Sequence, residues 1–215
     1  MHIAFDVDGV LLFEDEELWI AYFEKEIGTR FDRESFAKNH NWNLATGMST
    51  EALTNLYVKR LLAADTKDPD PTTGAAESLD VLRCLASCHV VTARDARVKN
   101  LTIKLLGKHF AAFDSYHFGH VESKVEPLKN IGITVLIEDS AYQTQLAAEN
   151  GITAILFPQP RSWEYLQNHR HPKVIYPSTA DWVREQMDLP EIWELHRQTW
   201  KEVVEICQKK WFDAP

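Results

Sequence analysis

Short apolar runs recur along the chain, separated by longer stretches in which apolar positions return every three or four residues. The runs are His2-Ile3-Ala4-Phe5, His89-Val90-Val91, Ser115-Tyr116-His117-Phe118, Thr134-Val135-Leu136-Ile137, Thr153-Ala154-Ile155-Leu156 and Lys173-Val174-Ile175-Tyr176. They are continuous rather than alternating, the pattern of parallel strands buried on both faces. The stretches between them read as helices. Ala141 to Asn150 stops at Gly151, a residue suited to the left-handed position after a helix. Asp95 can cap a helix that carries Val98, Leu101 and Leu105 on one face. This alternation predicts an α/β protein, a doubly wound, Rossmann-like parallel sheet built from residues 1–12 and 71–187.

Two stretches depart from the pattern. Residues 13–70 hold no strand signal. The acidic run Glu14-Asp15-Glu16-Glu17 precedes Leu18, Trp19, Tyr22, Phe23 and Ile27, and Gly28 closes that helix; Ser49 can cap a second one carrying Leu53, Leu56, Tyr57, Arg60 and Leu61. Asp68-Pro69-Asp70-Pro71 breaks it off. The segment is predicted to be a small helical insert. Residues 188–215 form a C-terminal helical extension, with Trp193, Trp200, Val204, Cys207 and Trp211 near helical spacing beside Ile192, Leu195, Val203 and Ile206. Such a helix either docks on its own core or makes a contact between copies, so a monomer and a homodimer both fit.

The 215 residues suit one domain with an insert, and 45% apolar residues can fill a sizeable core. With Lys+Arg 23 against Asp+Glu 32, the net charge of −9 disfavours a nucleic-acid polymer as partner. It leaves room for a small anion held by a few local cations. No run approaches the roughly 20 apolar residues of a membrane span, and no basic-then-apolar leader is seen, so a cytoplasmic protein without a membrane partner is expected. Cys84, Cys88 and Cys207 are accordingly read as reduced thiols.

Four signals carry candidate chemistry, and each has a plainer competitor. Asp6-Val7-Asp8-Gly9-Val10 follows the first strand, where open α/β sheets place their sites; turn chemistry alone would choose the same residues. Thr92-Ala93-Arg94-Asp95 follows the second strand, where a hydroxyl before a helix start can hold an anion or merely cap. Lys124 opens a predicted helix, a place where most lysines are solvated. Glu138-Asp139-Ser140 ends the fourth strand, where adjacent acids suit a metal and a cap equally.

In this order the four signals resemble the haloacid dehalogenase superfamily of phosphohydrolases. The turn Pro71-Thr72-Thr73-Gly74 is also similar to that family, and the insert lies where the family carries its type 1 cap. The resemblance implies a Mg²⁺-dependent phosphatase acting on a small phosphate monoester. Asp6 would be the nucleophile, forming an aspartyl-phosphate, and Asp8 the general acid and then the general base. Asp6, the Asp8 carbonyl and Asp139 would hold Mg²⁺. Thr92 and Lys124 would hold the transferring oxygens, with Gly9, Ala93 and Arg94 beside the substrate. Relatives that release halide lack the second acid, so Asp8 disfavours dehalogenation. A non-catalytic interaction module would not be expected to keep all five motif residues. One position departs: Glu138 replaces a family Gly, and Gln143 stands where another acid is common. The resemblance then makes Glu138 a supporting carboxylate that acts through a metal-bound water.

Within the superfamily the chain is most similar to the 5′(3′)-deoxyribonucleotidases. The softer motifs are Asp8-Gly9-Val10-Leu11, Asn41-Trp42-Asn43, Arg161-Ser162-Trp163-Glu164 and Ala180-Asp181-Trp182. A nucleoside monophosphate would need an aromatic wall, for which Phe13, Trp19, Phe36 and above all Trp42 are candidates, although each could equally be cap core. A sugar-phosphate or broad-specificity metabolite phosphatase is the alternative.

Overall fold

The computed structural model describes residues 1–13, 15–28, 30–32, 42–63, 66–184 and 186–212. Glu14, Phe36 and Asn41 lie outside the described residues, as do the side chains of Glu16, Trp42 and Arg161. Five of the six apolar runs form strands. β1 (His2–Phe5) leads into α1 (Glu16–Ile27), α2 (Trp42–Thr46), α3 (Thr50–Leu62) and α4 (Ala75–Arg83). β2 (Ser87–Val91), α5 (Lys99–Leu106), β3 (Ser115–His117), α6 (Val125–Ile131) and β4 (Val135–Glu138) follow. The chain then runs through α7 (Ala141–Glu149), β5 (Thr153–Leu156) and α8 (Trp163–Asn168) to the long α9 (Leu189–Phe212).

The strands are all parallel, in the order β3-β2-β1-β4-β5. The chain winds out from the central β1 to one edge, then crosses back to the other, and this places helices on both faces. Successive side chains of β1 point opposite ways. Ile3 and Phe5 pack with Leu79, Leu82, Leu105 and Trp200, while Ala4 packs with Leu128, Leu136 and Ala147. Burial on both sides is why β1, β4 and β5 carry no polar alternation.

The sixth run does not become a strand. Ile175 makes one parallel bridge to Ile155, through hydrogen bonds from Ile175 N–H to Ala154 and from Leu156 N–H to the Ile175 carbonyl. Pro172 and Pro177 flank the run and have no N–H to extend a ladder. The Asp95 cap is also corrected. Asp95 accepts from Arg97 N–H at the start of a 3₁₀ turn, Ala96–Val98, and α5 begins after it.

Between β1 and β2 the predicted caps are in place, although α3 stops at Leu62, ahead of the breaker at residues 68–71, and the short α2 carried no sequence signal. Asp15 accepts from Leu18 N–H, Gly28 takes the left-handed conformation, and Ser49 accepts from Ala52 N–H. The two ends of this stretch run side by side, with Phe13 N–H donating to the Asp70 carbonyl at 2.8 Å and Leu12 bridging Pro71. α9 docks on the body of the protein. It buries Leu195, His196, Thr199, Trp200, Val203 and Cys207, while Trp193 and Trp211 stay on its outer side. Cys84, Cys88 and Cys207 are free thiols. Among the described residues no helix is long and apolar enough to cross a membrane.

Candidate active site

Parallel pairing brings the motif residues together. Phe5 is level with Val90 on one side and Ile137 on the other, so Asp6, Thr92 and Glu138-Asp139 leave three adjacent strands at one edge of the sheet. Neighbouring strands lie about 5 Å apart, which puts these groups within reach of one another. Asp6 N–H donates to the Ile137 carbonyl at 3.0 Å, and Thr92 N–H to His117 at 3.0 Å, so both residues are held by the ladder. Beyond Asp6 the chain folds back on itself. Leu11 and Leu12 N–H both reach the Val7 carbonyl, a reversal that Gly9 permits with φ of 76°.

Lys124, just ahead of α6, is buried between two carboxylates. Its Nζ lies 2.7 Å from Asp6 Oδ1 and 2.5 Å from Glu138 Oε2. Burial would push the ammonium down, but Asp6 and Glu138 together outweigh it and hold its pKa above the usual lysine value. Asp6 moves further. Burial first, then the charge of Glu138, raise its pKa to about 7 against the pull of Lys124. Asp6 Oδ1 has an ion-pair distance to Lys124 but no aligned hydrogen bond.

Asp6, Glu138 and Asp139 are all buried and offer oxygens within 4.8 Å of one another. Three hard oxygen donors in buried positions suit Mg²⁺. The electrostatics agree. Asp6 and Glu138 share Lys124, and beyond its burial Asp6 is raised by the charges of Glu138 and Asp8, a repulsion that a divalent ion would relieve. Glu138 shares the cluster with Asp6 and Asp139, and it also accepts from Ser140 N–H. Gln143 takes a scaffolding place: it accepts from Lys124 N–H and donates to the Val121 and Glu122 carbonyls.

The Asp8 carboxylate turns from the cluster to Arg94, which donates from Nε and Nη2 at 2.9 and 2.6 Å. Thr92 Oγ1 is buried and accepts from Arg94 N–H, leaving its own proton to donate. Ala93 is exposed at the loop tip. Of the aromatic candidates, Trp19 stacks on Tyr57 at 4.4 Å between α1 and α3, and Phe13 packs 6.1 Å from His196. Beside the loop that follows β3, tied to the Thr92 and Arg94 carbonyls, a cavity of about 790 Å³ is lined by polar residues including Thr50, His120, Ser123 and Lys129.

Two contributors escaped sequence reasoning. Gln159 donates to the Gly9 carbonyl and meets His196 Nε2 of α9 at 3.1 Å. Phe13 and Phe157 enclose His196, and burial lowers its pKa to about 4. A lone Gln between prolines and a His inside a helical repeat carry no local signal of this chain.

No family model matches the sequence, and no curated protein matches it. Solved structures do. CbbY of Rhodobacter sphaeroides, in complex with phosphate, is 20% identical over 81% of this chain and 92% of its own, with a TM-score of 0.56. A haloacid dehalogenase hydrolase of family IA, variant 3, from Entamoeba histolytica is 19% identical over 91% and 99%, with a TM-score of 0.55. A haloacid dehalogenase-superfamily hydrolase from Ehrlichia chaffeensis is 16% identical over 97% and 96%, with a TM-score of 0.52. At such identities the likeness is one of fold: the chain carries the fold of the haloacid dehalogenase-like hydrolases.

Proposed function

We propose that the protein is a Mg²⁺-dependent phosphatase of small phosphate monoesters that works through an aspartyl-phosphate. The carrying observation is the convergence of Asp6, Asp8, Thr92, Lys124 and the Glu138-Asp139 pair at one sheet edge. The phosphate complex of CbbY, on the same fold, supports this reading.

The Asp6 carboxylate attacks phosphorus in line, the bond from phosphorus to the ester oxygen breaks, and Asp8 delivers a proton to that oxygen. Asp8 next takes a proton from water as the water attacks the phosphorus; the bond to Asp6 breaks and inorganic phosphate leaves. Thr92 donates its hydroxyl proton to the transferring group, and Lys124 supplies fixed positive charge beside Asp6. Asp6, Asp139 and the Asp8 carbonyl, with Glu138 beside them, would hold Mg²⁺, which would supply positive charge between carboxylate and phosphate.

A deoxynucleoside monophosphate is the proposed substrate, on the softer motifs. The cavity beside the loop after β3, with Thr50, His120, Ser123 and Lys129 in its lining, and the packing of Trp19 inside the helical insert favour a second reading, a hydroxylated leaving group such as a sugar. Phosphate release from both ester classes, with Mg²⁺ and with chelator, tests the two. Trp42→Ala should lower kcat/KM for deoxynucleotides about ten- to a hundred-fold while sparing a small ester. Equal losses on both would favour the sugar phosphate, and full activity in chelator would reject the mechanism.

A further inference from the structure

We propose that Arg94 is the positioning residue of Asp8 and not a phosphate ligand, an assignment that rests on the acid–base role given to Asp8 above. A guanidinium two residues beyond Thr92 would be expected to share the oxyanion with it. Arg94 goes elsewhere. Its side chain is only 2% exposed, against 22% for Asp8. Nε and Nη2 each meet one oxygen of Asp8, and Nη1 donates to Thr102 Oγ1 at 3.1 Å. The backbone of Arg94 is held as firmly. Its N–H donates to Thr92 Oγ1, and its carbonyl accepts from Gly119 N–H at 2.8 Å.

Two parallel bonds fix the plane of a carboxylate as well as its distance, which a single ammonium cannot do. That matters for a group that must serve twice. Asp8 meets the leaving oxygen in the first half of the reaction and water in the second, and a displacement of about 1 Å is enough to cost on the order of a hundred-fold in rate. Thr102, in the middle of α5, extends the brace into the folded body. Arg94 therefore acts on the reaction only through Asp8.

The test is a double-mutant cycle on the full chain, read as steady-state hydrolysis of a small phosphate ester and inhibition by inorganic phosphate. Arg94→Lys keeps the charge and the stem. It should lower kcat about ten- to a hundred-fold while KM and the inhibition constant of phosphate change less than about two-fold. Combined with Asp8→Asn it should be no slower than Asp8→Asn alone, because the residue it positions is gone. Weakened binding with kcat retained, losses that multiply in the double variant, or an unchanged kcat would each overturn the assignment. Should Arg94→Lys fail to fold, Thr102→Val cuts only the third contact. It should give a smaller kcat loss, again silent in the Asp8→Asn background; a loss that persists there overturns the assignment too. A wild-type protein inactive with Mg²⁺, or a fully active Asp8→Asn variant, would instead sink the phosphatase reading.

Discussion

Replacing the proposed nucleophile should make the metal-free protein more stable, increasingly so as pH rises from about 4 to 7. Asp6 has a folded pKa of about 7 against an ordinary value of 3.8. The folded pKa is raised, so the native state keeps a proton that the unfolded chain has released. Stability therefore falls as pH climbs from about 4 to 7. At 1.36 kcal/mol per unit, the shift is worth up to about 4 kcal/mol, and coupling to Glu138 and Lys124 brings it to about 2–4 kcal/mol. At pH 5 the native carboxyl is still neutral, as an amide is, but the unfolded one has released most of its proton, so Asp6→Asn should lead wild type by less than half of its margin at pH 8. At pH 8 it removes a buried charge whose burial and repulsion outweigh Lys124, and should melt about 5–10 °C higher. The comparison must be made between the two proteins. His196, with its pKa lowered to about 4, works the other way: its contribution is full above 6.5 and is lost as pH falls toward 4. Subtracting the two curves removes it. Mg²⁺ at about a hundred times its Kd should return about 2.7 kcal/mol to wild type at pH 8 and close the gap. Thermal melts in chelator at both pH values decide the matter. A wild type at least as stable as Asp6→Asn at pH 8, or an equal gap at pH 5, would refute the reasoning.

Other outcomes follow from contacts already described. Trp200 is fully buried and its Nε1 donates to Thr72 Oγ1 at 2.9 Å; Trp200→Ala should cost about 3–5 kcal/mol in urea unfolding and Trp200→Phe about 1–2 kcal/mol, chiefly the hydrogen bond. Gln159→Leu strands the Gly9 carbonyl and His196 Nε2 and should cost about 2–3 kcal/mol by the same measurement. Ca²⁺ should support little phosphate release where Mg²⁺ restores it fully, because its longer, looser coordination displaces the carboxylates from their places.

The local signals proved readable. Gly28, Ser49 and Gly151 end or start helices because caps depend on a few neighbouring residues, and the motif residues lie at strand ends because apolar runs define strands. Partnerships were not readable. Arg94 meets Asp8 across 86 residues, and Lys124 chooses Glu138 as well as Asp6 only once β1 and β4 are side by side. The sixth run failed for a reason visible in hindsight, since its flanking prolines outweigh its β-branched residues. The outward turn of Trp193 and Trp211 could not be foreseen either, because α9 buries one stripe and helical spacing alone does not say which aromatic lies on it.

The bracing of the turn that follows β1 has a kinetic consequence. Gly9 is held by Gln159, 150 residues away, and Thr72, which also binds the Val10 carbonyl, is held by Trp200 across 128. β1, first to be synthesised, pairs on both sides with strands made much later. Such non-local closure is slow, because chain entropy is lost before the contacts that offset it exist. Helices can thus regain their far-ultraviolet signal well before the turn bearing Asp6 and Asp8 is locked. During refolding, enzyme activity should be among the last properties to return.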